Sequence, residues 1–251
     1  MRYAILSDVH ANLEALTAVL DALSTEHIDG YLCLGDVVGY GADPAACLAR
    51  LTAVGATMIA GNHDLACIGK LDLEWFNEVA RAAILWTRDQ LSVADLDQLR
   101  RLPLTMAVEP FTLVHGTLSH PARFEYLIHL AQAIDTLTIC QTLCCLVGHT
   151  HTPCGLEYDR HHRRVTRVVT REAELAQMTF HNDPTAFRYL LNPGSVGQPR
   201  DGDARASCAV IDTVRTDISV RRIPYDVATA QRKIRAAGLP AFLADRLALG
   251  R

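Results

Sequence analysis

Residues 3–10 read Tyr3-Ala-Ile-Leu-Ser-Asp-Val-His10, an apolar run of strand length that stops abruptly in polar residues. Behind it Leu13, Leu16, Val19, Leu20 and Leu23 recur at helical spacing, with Asn12 placed to cap them. Tyr31-Leu-Cys-Leu34 is a second strand, followed by Asp43-Pro44, an N-cap with proline at the first helical position, and by Gly55 as a stop. Thr57-Met-Ile-Ala60 is a third strand. Strand–helix–strand–helix–strand in about sixty residues predicts parallel pairing with right-handed crossovers. The start of the chain is an α/β fold.

The rest of the chain extends this pattern and then changes it. Residues 72–102 read as helical on an apolar stripe through Phe76, Val79, Ala83, Ile84 and Trp86, with a restart at Ser92-x-x-Asp95 and a stop at Pro103. Phe111-Thr-Leu-Val114 and Leu143-Cys-Cys-Leu-Val147 are strands, with a helix at 126–139 between them. From about 155 short strands joined by turns follow (155–158, 163–169, 187–191, 207–211 and 217–222), an antiparallel half closed by helices at 226–237 and 240–249. No repeat, linker or low-complexity segment breaks residues 1–251, so one domain is expected, built as two packed mixed β-sheets flanked by helices.

Composition excludes several classes of function. The chain of 251 residues is 49% hydrophobic and 21% charged, which excludes wholesale disorder. With 24 Lys+Arg against 28 Asp+Glu, the net charge of −4 offers no basic footprint for a nucleic-acid polymer or an anionic membrane. No apolar run nears the roughly 18 residues of a membrane span, and no signal-peptide pattern precedes Tyr3, so a cytoplasmic protein is expected. None of the eight cysteines forms a C-x-x-C pair, and most sit in apolar runs, as buried reduced thiols do.

The eleven histidines are not scattered. Five apolar strands each run into a polar cluster: Asp8-Val-His10, Gly35-Asp36, Gly61-Asn-His-Asp64, His115-Gly116 and Gly148-His-Thr-His151. Ligands of open α/β sheets bind beyond the carboxyl ends of strands, so these clusters should converge on one crevice. They supply carboxylates, one amide and five imidazoles without a thiolate, a donor set for Mn, Fe, Zn, Co or Ni and not for a structural zinc. Any one cluster alone is equally well a cap or a turn. Five in order, each behind a strand, are not.

In this order the motifs D-x-H, G-D, G-N-H-D, H-G and G-H-T-H resemble those of the calcineurin-like metallophosphoesterases. Asn192-Pro-Gly-Ser-Val-Gly197 resembles the bacterial YfcE-like branch. The resemblance implies a four-layer αββα sandwich and two divalent ions, Mn foremost, with a bridging hydroxide attacking a small phosphate ester. It further implies that Asp8, His10 and His151 hold one ion, that Asn62, His115 and His149 hold the other, and that Asp36 bridges them. His63 would face the substrate and protonate the leaving oxygen, with Asp64 accepting its other ring N–H.

Other features are weaker. Arg200, in Gly197-Gln-Pro-Arg200, is a candidate phosphate contact beside Asn62 and His63, and Gly39-Tyr-Gly41 is either a phosphate-approaching loop or a plain turn. His161-His162 reads as a solvated hairpin tip, and Cys154 as a packed thiol near the site. Phosphoprotein phosphatases of this superfamily carry Asp-Arg where this chain has Gly39-Tyr40, and glutamate where it has Asp64. Loss of that arginine weakens complementarity to a dianionic monoester more than to a monoanionic diester, so a phosphodiesterase with weak monoesterase activity is expected. The rivals are a dinucleoside-polyphosphate hydrolase, a protein phosphatase, and a non-enzymatic scaffold of the kind the retromer subunit of this fold provides.

Overall fold

The computed structural model describes residues 1–169 and 176–251. Its first third follows the expected alternation: β1 (Arg2–Leu6), α1 (Leu13–Ser24), β2 (Gly30–Cys33), α2 (Pro44–Ala53) and β3 (Thr57–Met58). Asn12 caps α1 by accepting the Ala15 N–H at 3.1 Å. A short α3 (Asn62–Cys67) then starts inside the Gly61–Asp64 cluster. The 72–102 region divides into α4 (Glu78–Gln90) and α5 (Val93–Arg100), the latter begun by the Ser92–Asp95 capping box.

Next come β4 (Thr105–Val108), β5 (Phe111–Val114), α6 (Leu130–Ile139), β6 (Cys144–Leu146), β7 (Cys154–Asp159) and β8 (Arg164–Val169). The chain finishes with β9 (Ala176–Thr179), β10 (Phe187–Asn192), β11 (Ala206–Asp212), β12 (Asp217–Ile223), α7 (Val227–Ala236) and α8 (Ala241–Asp245). The described strands form two six-stranded mixed sheets, ordered β3-β2-β1-β11-β12-β9 and β4-β5-β6-β10-β7-β8.

The antiparallel half expected from about residue 155 pairs antiparallel within itself, but it is shared between the two sheets. β11 pairs antiparallel with β1, whereas β10 pairs parallel with β6. The late strands therefore complete both sheets begun by the early ones. Hairpins such as β11–β12 and β7–β8 leave the antiparallel turn signature in the sequence, and the long returns between sheets leave none.

Strand alternation builds the layers. Tyr3 and Ile5 of β1 face the other sheet with Phe111, Leu146, Tyr189 and Leu191, while Ala4 and Leu6 face α1 and α2. Leu190, Cys145 and Val114 turn outward against α6. α7 and α8 add a further apolar cluster with Ala80 and Ala83 of α4 and with the ring of Tyr40. The parallel strands β1, β2 and β3 of one sheet and β5, β6 and β10 of the other end at one edge, and the loops leaving that edge carry the clusters. Among the described residues no helix is long and apolar enough to cross a membrane.

Candidate metal centre

Three groups of possible ligands meet at the strand edge: Asp8, His10 and His151; Asp36, His115 and His149; and His10, Asp36 and His63. Within each, the ligand atoms lie within 4.8 Å of one another. His151 Nε2 stands 3.2 Å from Asp8 Oδ1, and His115 Nε2 stands 3.3 Å from Asp36 Oδ2. Asp36 Oδ2 is also 3.6 Å from His10 Nε2, which places this carboxylate between the first two groups. All these residues are buried, Asp8 and His115 completely.

The rings are aimed from behind. Nδ1 of His10, His115 and His151 meets the main-chain carbonyls of Val38 (3.2 Å), Leu34 (2.7 Å) and Gln198 (2.6 Å). A carbonyl only accepts, so each Nδ1 carries a proton and each Nε2 points inward. Asp8 is held likewise, its Oδ2 accepting from Ser7 Oγ at 2.6 Å and from the His149 N–H at 3.1 Å. Asp36 Oδ1 accepts the His63 N–H at 2.8 Å.

What this leaves over tests whether cations fit. Asp8 Oδ1, Asn62 Oδ1 and His115 Nε2 are buried without a hydrogen-bond partner, and the Nε2 atoms of His10 and His151 face each other at 3.2 Å. Buried acceptors without donors are costly, and a cation among them is the group that satisfies all of them. The donor set of oxygen and imidazole suits divalent ions.

The electrostatics agree. Burial pushes the Asp8 and Asp36 carboxyls up, but the imidazoles of His151 and His115 respectively outweigh it and hold both well below the usual carboxylate range. Burial pushes His149 down to about 3, helped by His115. Burial works the same way on His115, but the Asp36 charge overcomes it and raises the ring to about 9. A metal must therefore displace a proton from His115 in order to bind there.

His63 and Asp64 part company with expectation. The His63 ring lines a cleft above the centre, packed against Tyr40 (centroids 4.4 Å apart), His10 (4.9 Å) and Phe76 (5.2 Å). Its Nδ1 has no partner, and burial pushes the ring down to about 4. Asp64 does not reach it. The Asp64 carboxylate instead accepts four main-chain N–H groups, from Asp36 (2.8 Å), Gly61 (2.9 Å), Val37 (3.0 Å) and Val38 (3.2 Å). Asp64 thus clamps the loop carrying Asp36 onto the start of α3. Burial and the Asp36 charge push its carboxyl up to about 7, against these donors.

Gly39-Tyr-Gly41 belongs to the site and is more than a connecting turn. Gly39 has φ +88°, and a Cβ there would lie 2.6 Å from His63 Nδ1, so only glycine lets the ring lie against the loop. Arg200 lies at the rim, Nη2 bonded to Gln198 Oε1 at 2.9 Å and the guanidinium 5.9 Å from the Tyr40 centroid. His161 and His162 sit in an exposed turn beyond β7, held by Asp159 and away from the centre. Cys154 is half-buried, the other cysteines are buried, and none forms a disulfide. Two residues went unnoticed in the sequence: Tyr126, stacked on His149 at 4.0 Å, and Ser7, which steers Asp8. The Ser7-Asp8 adjacency was a readable signal, whereas Tyr126 is brought in only by the tertiary fold.

Two mixed sheets thus gather buried carboxylates and imidazoles at one edge, an arrangement that suits divalent metal ions. Residues 1–216 match the model of the calcineurin-like phosphoesterase superfamily domain, and the chain belongs to that family. A metallophosphoesterase of Sphaerobacter thermophilus is 39% identical, with all of this chain and 99% of that one aligned at a TM-score of 0.84. An uncharacterized protein of Methanocaldococcus jannaschii is 36% identical over 99% of this chain and 98% of its own. A hypothetical protein of Pyrococcus horikoshii shares the fold at a TM-score of 0.77 and 20% identity, with 100% and 98% of the chains covered.

Proposed function

We propose that this chain is a dinuclear metal-dependent phosphoesterase of small phosphodiesters, with weak activity on monoesters. Asp8, His10 and His151 hold one divalent ion, Asn62, His115 and His149 the other, and Asp36 serves both; Mn is the first choice, with Fe, Zn, Ni or Co as alternatives. Such ions supply positive charge for phosphoryl oxygens and acidify water for attack. The observation that carries the reading is His63: a buried imidazole lining the cleft, beside the ligands, bonded to nothing through Nδ1. A pure scaffold has no use for it.

Burial keeps that ring neutral, and the negative charge of an arriving ester favours its protonation. His63 then stabilises charge on the leaving oxygen and delivers the proton to it. Asn62 and Arg200 orient the ester, Arg200 from the rim over Tyr40. Tyr40 fills, with a neutral ring, the place where an arginine would reward a second negative charge, which favours diesters.

The test is His63→Ala with each divalent metal. Elemental analysis should find both ions kept. Turnover should fall modestly on bis(p-nitrophenyl) phosphate, whose aryl oxide leaves unaided, and by about 10²–10⁴ on a diester with an alkyl leaving group. Equal losses on both would remove the acid role. A wild-type protein that binds two ions and turns over none of the diesters would leave the scaffold reading in its place.

A further inference from the structure

The cleft above the metal centre, about 170 Å³, has an unusual lining. Its floor is Asn62, His63 and His149, and its walls and rim are the rings of Tyr40, Trp75, Phe76, Phe124 and Tyr126. Five of the fifteen aromatic residues of the chain thus face one cavity. They come from separate segments and reach it independently: Tyr40 after β2, Trp75 and Phe76 before α4, Phe124 and Tyr126 before α6.

Two of these rings are exposed although they face a cavity, Trp75 at 66% and Tyr126 at 46%. Exposed apolar rings that gather at one groove, rather than scatter singly, mark ligand-binding sites. The Trp75 platform is also rigid. It ends a 3-10 turn, Leu73–Trp75, in which Asp72 accepts the Glu74 N–H at 2.9 Å, and its neighbours Leu73 and Phe76 are anchored in the apolar core. The backbone that presents Trp75 is thus fixed beside the cleft.

Flat, fixed, partly wet rings suit a planar aromatic group, which stacks with little ordering cost. A second groove shares Tyr126 with this cleft but is otherwise mainly aliphatic, through Leu127, Leu130, Leu156 and Val165, with His129 as its one other ring. The aromatic cleft also carries a polar handle for a ring edge. Asn77 uses its Oδ1 to cap α4, accepting from the Ala80 N–H at 2.9 Å, which leaves its amide NH₂ uncommitted in the wall. Because the floor of the cleft is the metal centre, a phosphate held there sends one ester arm between these rings.

We propose that this cleft is a nucleobase-stacking subsite, with Trp75 as its outer platform, so that the ester taken by the site carries a nucleoside. The inference rests on the phosphoesterase reading for the place of the phosphate, and its test does not depend on turnover.

The chain has two tryptophans, so Trp86→Phe leaves Trp75 as the single indole. The Mn-loaded variant is titrated with AMP, ribose 5-phosphate and inorganic phosphate, followed by Trp75 emission and by calorimetry. AMP should quench Trp75 and bind about tenfold or more tighter than ribose 5-phosphate. Trp75→Ala in the wild-type background should bring AMP to the affinity of ribose 5-phosphate, and Trp75→Phe should restore most of the difference. Equal affinities for AMP and ribose 5-phosphate in the protein with Trp75 intact, or a preference for AMP that survives Trp75→Ala, would overturn the subsite. Hydrolysis of bis(p-nitrophenyl) phosphate, measured separately, keeps the two readings apart. Turnover without a preference for AMP removes the subsite alone, and a preference without turnover removes the enzyme alone.

Discussion

Gly39→Ala isolates His63 from the metal ligands. At φ +88° an added Cβ would sit 2.6 Å from His63 Nδ1, where ordinary contact begins at 3.4 Å. The ring must therefore give way by about 0.8 Å, the difference between those two distances. It cannot slide freely, because His10, Tyr40 and Phe76 pack around it. A misplacement of about 1 Å costs on the order of 10²-fold in rate when position matters. A non-glycine residue at positive φ adds about 1–2 kcal/mol of strain. The variant should thus lose roughly 10²-fold in kcat on a diester with an alkyl leaving group, much less on bis(p-nitrophenyl) phosphate, and about 1–2 kcal/mol of stability by urea unfolding. Elemental analysis should show both ions retained, since the nearest atoms to the new methyl group all belong to His63. Loss of metal, or equal loss of rate on both leaving groups, would refute the view that Gly39 exists to seat the His63 ring.

Asp36→Asn should lose metal and activity together, because a neutral amide cannot offset two dications; two tightly held ions with near-normal turnover would contradict its bridging role. Asp64→Ala leaves four buried main-chain donors unpaired at about 1–3 kcal/mol each, so chemical denaturation should report a loss of roughly 4 kcal/mol or more; a loss under about 1 kcal/mol would mean that water replaces the carboxylate. Lys233 ties α7 to Glu14 (2.5 Å) and Asp43 (2.9 Å); burial lowers its pKa, but the two carboxylates outweigh that and raise it. A raised pKa contributes stability that is fully present below the unfolded value of about 10.4 and is lost as pH rises through the folded one. The pair is partly exposed, so Lys233→Met should cost no more than about 1 kcal/mol at pH 7, and the gap in melting temperature should close as the pH rises beyond the ordinary lysine range.

The five ligand clusters were legible in the sequence because each is a local event, a strand that ends in polar residues. What lay beyond reading falls into two physical kinds. The first is short structure with little side-chain signature: β4 is a partly exposed edge strand of four residues, and α3 begins in the polar cluster Gly61-Asn-His-Asp64. The second is contact with partners that the sequence does not spell. Asp64 is held by four backbone amides, and a backbone amide has no letter of its own, so the only partner visible for Asp64 in the sequence was the neighbouring His63. The aromatic cleft was hidden for a related reason. Tyr40, Trp75 and the Phe124–Tyr126 pair lie far apart along the chain, and each reads singly as a core or surface ring.

Backbone conformation explains why the clusters looked equally like turns and like ligands. Five proposed ligands have positive φ: Asp8 (53°), His10 (47°), Asp36 (52°), His149 (67°) and His151 (58°). At about 1–2 kcal/mol each, these residues carry roughly 5–10 kcal/mol of strain, comparable with the net stability of a domain. Such strain persists only where the surroundings over-determine it. Here the strained loops are bonded to one another: the Asp8 N–H to Gly35 O (3.1 Å), the His10 N–H to Asp36 O (2.9 Å), the Gly197 N–H to Asp8 O (3.0 Å) and the Gly148 N–H to His115 O (2.9 Å). Each bond joins the end of one strand to the loop of another, so the two sheets together hold what no single turn would. Asn, Asp and His are also the non-glycine residues most tolerant of the left-handed region. They are, in addition, oxygen and imidazole donors for divalent ions. A chain that must turn sharply at a strand end and present a ligand there draws on the same few residue types for both tasks. The turn reading and the ligand reading of Asp8-Val-His10 or Gly148-His-Thr-His151 therefore describe one conformation.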